Sequence, residues 1–192
     1  VDAIVARVFS HGSLELLAKH TTVPVVNALS DLEHPCQAMG DLLTIRERKG
    51  ALQGVRVAFV GDGNNVAASL ALACASVGAD FILAAPREHQ IPTIVWEEAL
   101  ERASINGSRV GWVELPQQAV RGADVVYTDV WVSMGQDAET EARRRAFQGY
   151  QVNEELMRFA NPGALFMHDM PAHRGQEVSN GMLDHPRSVV FD

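Results

Sequence analysis

The feature that most constrains this chain is Val66–Val77, VAASLALACASV, a helix-length stretch that is apolar on nearly every side. A helix without a polar face has to be covered all round, so it belongs in the interior of an α/β layer. Just before it, Val55–Val60 reads as a short buried strand, and Gly61-Asp62-Gly63-Asn64-Asn65 joins the two. A strand, a glycine-bearing loop and a buried helix form the opening of a βαβ unit. Such units build parallel sheets with helices on both faces.

The alternation continues downstream. Further strands read at Phe81–Ala85, Val110–Val113, Asp124–Thr128 and Ala164–Met167, with helices between them near 65–77, 93–105, 116–121, 137–147 and 153–160. The crossovers should be right-handed, and the fold class is a Rossmann-like α/β sheet. The stretch 138–148 differs from the others: acids come early and Arg143–Arg145 late. Glu139–Arg143 and Glu141–Arg145 pairs would support a solvated surface helix there.

The first fifty residues carry a different pattern. Asp2–Val8 reads as a strand, His11–His20 as a helix with Leu14, Leu16 and Leu17 at helical spacing, and Val23–Val26 as a strand. This is the end of a preceding α/β domain, assigned to residues 1–33. Ser30-Asp31-Leu32-Glu33 supplies helix-start chemistry, and Pro35 suits a first helical turn. A linking helix, assigned to 34–50, follows, with Cys36, Met39, Leu43, Ala38, Leu42 and Ile45 as its apolar face and Gly50 as its stop. A second domain then occupies 51–192. The chain begins in one β-like run and ends in another, SVVFD, so a fragment truncated at its carboxyl end is expected.

Composition narrows the function classes. A net charge of −8 leaves no basic stripe to neutralise phosphates, which argues against a nucleic-acid partner. No apolar run approaches 18 residues without a charge, so no membrane span is expected. Two cysteines, Cys36 and Cys74, make neither a disulfide framework nor a zinc motif, which suggests a soluble protein of the reducing cytoplasm. Cys74 lies on the apolar helix and reads as inert core.

Four stretches could carry chemistry. Ala164–Val178, ALFMHDMPAHRGQEV, is an apolar strand that stops at His168-Asp169-Met170-Pro171 and is followed by His173, Arg174 and Glu177. Open α/β sheets bind ligands at such carboxyl ends. In GDGNN the glycines let backbone approach a ligand at a helix N-terminus, while Asn64 reads foremost as the helix cap. A dinucleotide fingerprint would need a third glycine where Val66 stands, so a nicotinamide-dependent enzyme is disfavoured. Asp129, at the end of another strand, could hold an ammonium group or cap the next helix. Trp131 and Met134 could pack or could wall a ligand. In His34-Pro35-Cys36-Gln37, His34 and Gln37 share one face of a helix start, where a carbonyl or phosphate could be met; alone, a histidine there is more often a surface or capping residue.

Taken together and in this order, LSDLEHPCQ, GDGNN, DVWVSMGQ, H-x-x-P with AHRG, AFQGYQV and PRSVVF resemble the ornithine carbamoyltransferases over essentially the whole chain. S-M-G-Q favours the ornithine over the aspartate branch. The resemblance implies transfer of a carbamoyl group from carbamoyl phosphate to the δ-amine of L-ornithine, giving citrulline and phosphate in arginine biosynthesis. It implies no metal and no cofactor, and a homotrimer of the full-length protein. Residues 1–33 would close the carbamoyl phosphate-binding domain, and 51–192 would be the ornithine-binding domain. Carried over by position, Arg7, His34 and Gln37 match carbamoyl phosphate ligands, with Asp169 and Met170 beside them; Asn65, Asp129, Ser133 and Met134 match ornithine ligands. Arg7, His34 and Asp169 are the candidate catalytic groups.

Three departures stand out. The family's S-T-R-T phosphate segment is absent, as is the arginine beyond V-F-x-x-A-E-N-R, so the 192 residues alone should be inactive. H-D-M-P replaces the usual H-C-L-P, which puts Asp169 and Met170 where cysteine and leucine are the rule. A carboxylate at the amine end favours the ammonium form, and opposes attack unless Asp169 itself accepts the proton. That exchange keeps open a related transcarbamylase acting on another amine, such as putrescine or a modified ornithine. A catalytically silent binding relative is a further alternative.

Overall fold

The computed structural model describes residues 1–133 and 135–191. Two parallel sheets organise the chain. β1 (Ile4–Arg7) pairs in parallel with β2 (Val25–Leu29), and α1 (His11–His20) connects them. Only Leu14 of α1 is buried; Leu16 and Leu17 stay open to solvent.

The second sheet has five strands, all parallel: β3 (Arg56–Val60), β4 (Asp80–Ala84), β5 (Val110–Val113), β6 (Val125–Thr128) and β7 (Leu165–His168), in the order β5-β4-β3-β6-β7. The period-two alternation of side chains explains its two cores. Val57, Phe59, Phe81, Leu83, Val125, Tyr127 and Met167 face one layer, packed under α2 (Pro35–Lys49), α3 (Asn65–Ser76) and α4 (Thr93–Asn106). Ala58, Val60, Ala84, Val126 and Phe166 face the other, with α5 (Pro116–Val120), α6 (Thr140–Ala146) and α7 (Glu154–Met157). Fully burying each large aliphatic or aromatic side chain contributes roughly 1.5–3 kcal/mol. α3 is buried almost end to end, as its composition requires, and Cys74 within it is fully enclosed.

Several local expectations change. Ser30 does not cap α2: its hydroxyl accepts the Glu33 N–H and closes a tight turn, and the helix starts one turn later, at Pro35. The α2 apolar face splits, with Ala38, Leu42 and Ile45 buried and Cys36, Met39 and Leu43 exposed. Gly50 ends that helix at φ 81°, a conformation open to glycine. The stretch after 136 opens as a 3-10 turn and becomes α6 only at Thr140. Nor is that helix merely solvated. Arg143 is buried and pairs with Asp62 at 2.9 Å as well as with Glu139, while Glu141 pairs with Arg144 rather than Arg145. Among the described residues no helix is long and apolar enough to cross a membrane.

Candidate functional site

Strand order locates the site. From β3 the chain steps outward to β4 and β5, then returns to the other side of β3 for β6 and β7. The loops after β3 and β6 therefore diverge, leaving a crevice at the carboxyl end of the sheet. The carboxyl ends of β1 and β2 and the start of α2 form the facing wall. Between the walls lies a cavity of about 570 Å³. Arg7, His34, Gln37, Asn65, Asp129, Ser133, Asp169 and Met170 all line it. Met134 lies outside the described residues.

The wall made by the first sheet and α2 is cationic and neutral-polar. Arg7 ends β1 and is exposed. The His34 backbone N–H donates to Ser69 Oγ at 2.7 Å, and its Nδ1 is buried without a hydrogen-bond partner. Burial lowers the His34 pKa; the negative charge of Asp169 opposes this and the charge of Arg7 adds to it. Burial thus favours the neutral imidazole, with Nδ1 unengaged. Gln37 Nε2 donates to Asp41 Oδ1 at 3.0 Å, and Asp41 Oδ2 accepts the Tyr127 hydroxyl at 3.0 Å. The Gln37 amide is thus held from behind, with its carbonyl oxygen free of that bond. Burial raises the Asp41 pKa to about 7 against those two hydrogen bonds. The i, i+4 spacing of Gln37 and Asp41 on one helix face was the available sequence signal for this support.

The opposite wall is acidic, with Asp129 buried and Asp169 half-buried. Asn64 caps α3 as read from the sequence, accepting the Val66 and Ala67 N–H groups, and this leaves its Nδ2 to donate to Asp129 Oδ2 at 2.6 Å. Asp129 Oδ1 takes the Val130 N–H at 2.6 Å. Asn65 turns its Nδ2 to the Ser30 carbonyl at 2.8 Å, tying the two walls together at the rim. With the first N–H groups of α3 already satisfied, the helix start is not an open anion site. The glycines of this loop serve a different purpose from the one expected. A Cβ on Gly63 would lie 2.3 Å from the Ile91 nitrogen, so its bareness admits the backbone of residues 89–91 and not a ligand. Trp131 resolves as packing: it is buried and stacked on Phe147, with centroids 5.7 Å apart.

Asp169 and His168 complete this wall. Oxygen and nitrogen atoms of Asp129, His168 and Asp169 lie within 4.8 Å of one another. A cation could bridge that spacing, but His168 Nδ1 already accepts the Met170 N–H at 2.9 Å. The donor set suits an ammonium group held by two carboxylates better than a metal centre. Burial and the charge of Asp169 push the Asp129 pKa well up. For His168, burial works against the charged form, yet Asp169, Glu177 and the charge of Asp129 outweigh it and raise its pKa to about 9. His173 and Arg174 sit at the periphery, with Arg174 paired to Asp184. Glu177 does not: its side chain is wholly buried behind His168.

Two family models match this chain. The carbamoyl-P binding domain of the aspartate/ornithine carbamoyltransferases matches residues 1–47, and their Asp/Orn binding domain matches residues 53–192. The chain belongs to the aspartate/ornithine carbamoyltransferase family. Its relatives include an ornithine carbamoyltransferase of Acidothermus cellulolyticus, 54% identical over all 192 residues, and an anabolic ornithine carbamoyltransferase of Pyrococcus furiosus, 50% identical. The chain spans 62% and 61% of the length of those two proteins. Among solved structures, an ornithine carbamoyltransferase from Pyrococcus furiosus superposes with a TM-score of 0.95 at 50% identity, over the whole chain and 61% of its own. One from Gloeobacter violaceus gives 0.92 at 42% identity, over the whole chain and 64% of its own. The α/β fold read from the strand–helix alternation is that of this family.

Proposed function

We propose that this chain provides the greater part of an ornithine carbamoyltransferase. It would move the carbamoyl group of carbamoyl phosphate to the δ-amine of L-ornithine, yielding citrulline and phosphate for arginine biosynthesis. The observation that carries this reading is a cavity with the Arg7 guanidinium on one wall and, on the other, two carboxylates, buried Asp129 and half-buried Asp169. A dianionic acyl phosphate and a primary ammonium are the complementary pair of ligands.

In this reading Arg7 and His34 address the carbamoyl oxygen, where negative charge develops as the amine attacks. Gln37, steadied by Asp41, accepts from the carbamoyl amide, and Met170 closes the apolar side. Asp129 and Asp169 hold the δ-ammonium end, while Asn65, Ser133 and Met134 address the amino-acid end. Most of the rate then comes from holding two reactants in attacking geometry. The assembly is a cytoplasmic homotrimer, and the 192 residues by themselves are inactive because half of the phosphate grip lies outside them. Citrulline production by the full-length protein, absent from the isolated chain, tests both statements; failure of the full-length protein to consume carbamoyl phosphate with ornithine overturns the reading.

The carboxylate pair favours one second reading, a relative that uses a different amine. Competition between ornithine and putrescine for carbamoylation decides it. A putrescine kcat/KM above that of ornithine would displace ornithine as the acceptor.

A further inference from the structure

The carbamoyl-transfer reading requires the cavity to tell one acyl phosphate from another. Carbamoyl and acetyl phosphate share a phosphate group and a carbonyl oxygen. They differ at the remaining substituent of the carbonyl carbon, which is an amino group in one and a methyl group in the other. A hydrogen-bond acceptor facing that substituent separates the two, because it is paired by the amino group and stranded by the methyl. Gln37 lines the cavity, and its amide carries an acceptor on one side and a donor on the other. Which side meets the acyl phosphate depends on what stands behind the amide.

We propose that Asp41 is a positioning residue that sets which side of the Gln37 amide meets the acyl phosphate; the inference rests on the carbamoyl-transfer reading. As a carboxylate, Asp41 turns the Gln37 carbonyl oxygen into the cavity, where it receives the carbamoyl amino group. As a carboxylic acid it reverses the amide, and the preference for carbamoyl over acetyl phosphate is lost.

Asp41 is buried on α2, one helical turn beyond Gln37. Gln37 Nε2 donates to its Oδ1 at 3.0 Å, and the Tyr127 hydroxyl donates to its Oδ2 at 3.0 Å. Two donors thus meet two acceptors, and Gln37 Oε1 is left for the cavity. Tyr127 is wholly buried on β6, and among the described residues Asp41 is the partner of its hydroxyl, so that proton has no second acceptor.

A third proton breaks the match. Placed on Oδ2, it points at the Tyr127 oxygen and strands the buried hydroxyl proton. Placed on Oδ1, it meets Gln37 Nε2, donor against donor. A half-turn of the Gln37 amide relieves this second arrangement. Oδ1–H then donates to Gln37 Oε1, and the bond from Tyr127 survives. Gln37 is half-buried at the cavity surface, so its amide N–H groups then face the cavity. There the carbamoyl amino group brings only donors of its own. No covalent bond changes beyond the O–H of one carboxyl group.

The groups that act on Asp41 come from three neighbouring elements. Asp169, at the end of β7, adds a negative charge that favours the acid form. Tyr127 of β6, itself acted on by Asp129, and Cys74 of α3 are kept protonated by burial. Burial raises the Asp41 pKa to about 7 against the hydrogen bonds from Gln37 and Tyr127, so both forms are populated near neutral pH. His34, at the start of α2, faces the same cavity and is read as a partner of the carbonyl that both acyl phosphates share.

The test is the binding of carbamoyl phosphate and of acetyl phosphate to the full-length protein, by calorimetric titration without an acceptor amine. Titration of the phosphate or of His34 touches both probes and cancels in the ratio of their Kd values. That ratio, acetyl over carbamoyl, should rise about tenfold from about pH 5.5 to about 8.5, the effect of one hydrogen bond gained and one donor clash removed. Its midpoint should lie near 7. Asp41→Asn cannot titrate and should leave the ratio flat. Tyr127→Phe removes a donor that favours the carboxylate, so the midpoint should move to higher pH. A flat ratio in the unmutated protein overturns the proposal and needs no variant to fold. So does a pH-dependent ratio that persists unchanged in Asp41→Asn. A full-length protein that binds neither acyl phosphate at any pH overturns the functional reading first, and this inference falls with it.

Discussion

The two walls of the cavity differ in solvation as much as in charge. On the first, Arg7 is exposed and His34 and Gln37 are partly buried, and their supports come from helix α2 and its neighbours. On the second, Asp129, His168 and Glu177 are buried at or near strand ends, supported by loops on either side of the sheet. An anion held by exposed cations gains modest, screened attraction that salt can erode. A cation meeting buried Asp129 is screened far less, and its charge offsets the burial that pushes the Asp129 pKa up. On the proposed reading, the deep wall selects the amine and the open wall captures the phosphate donor.

The largest effect that would break this contrast is at Asp129. Replacing it with Ala should lower kcat/KM for ornithine by about three orders of magnitude, as removal of a preorganised charged group commonly does. Steady-state kinetics check this, and the KM for carbamoyl phosphate should change far less. Next comes Arg143→Met, which takes from buried Asp62 its guanidinium partner and leaves the His89 ring 3.3 Å away as its other partner among the described residues. Loss of one member of a buried pair destabilises by about 3–5 kcal/mol, and Arg143→Met with Asp62→Asn should recover a good part of it in chemical denaturation.

Asp41 supplies an intermediate effect with a definite sign. Its folded pKa of about 7 lies above its unfolded value near 3.8, so the folded state binds the extra proton. Stability from this group is full below about pH 4 and is lost as pH rises through 7. The difference of about three pKa units corresponds to roughly 4 kcal/mol. Asp41→Asn should flatten the stability curve over that window, as read by urea unfolding at several pH values. The smallest effect compares the walls directly. Raising ionic strength from about 0.05 to 0.5 M should raise the KM for carbamoyl phosphate several-fold and that for ornithine by less than twofold.

Much of the scaffold was legible because its signals are local. α1 and β5 coincide with their expected limits, and the all-apolar Val66–Val77 stretch became the buried α3. The cavity residues were legible through motifs that resemble a known family. The structure then brings Arg7, His34, Gln37, Asn65, Asp129, Ser133, Asp169 and Met170 to one cavity, although their chemical roles rest on the proposal. What could not be read is everything that depends on distant pairing. Arg143 bonds Asp62, 81 residues away, and so a helix that looks solvated in sequence carries a buried cation. Tyr127 reaches Asp41 across 86 residues. Glu177 looked like one more polar loop residue, and only the return of its loop over β7 buries it.

One consequence follows from where β7 stops. Its last paired residue is His168, so residue 169 contributes nothing to the ladder that holds the sheet together. Scaffold and chemistry are separated by a single peptide bond. A substitution at 169 can therefore change the charge that lines the cavity without renegotiating any strand contact. Position 168 has no such freedom, being both the end of the ladder and the imidazole behind the site. Substitutions at 169 and 170 should accordingly leave the fold's stability nearly unchanged, and those at 168 should not.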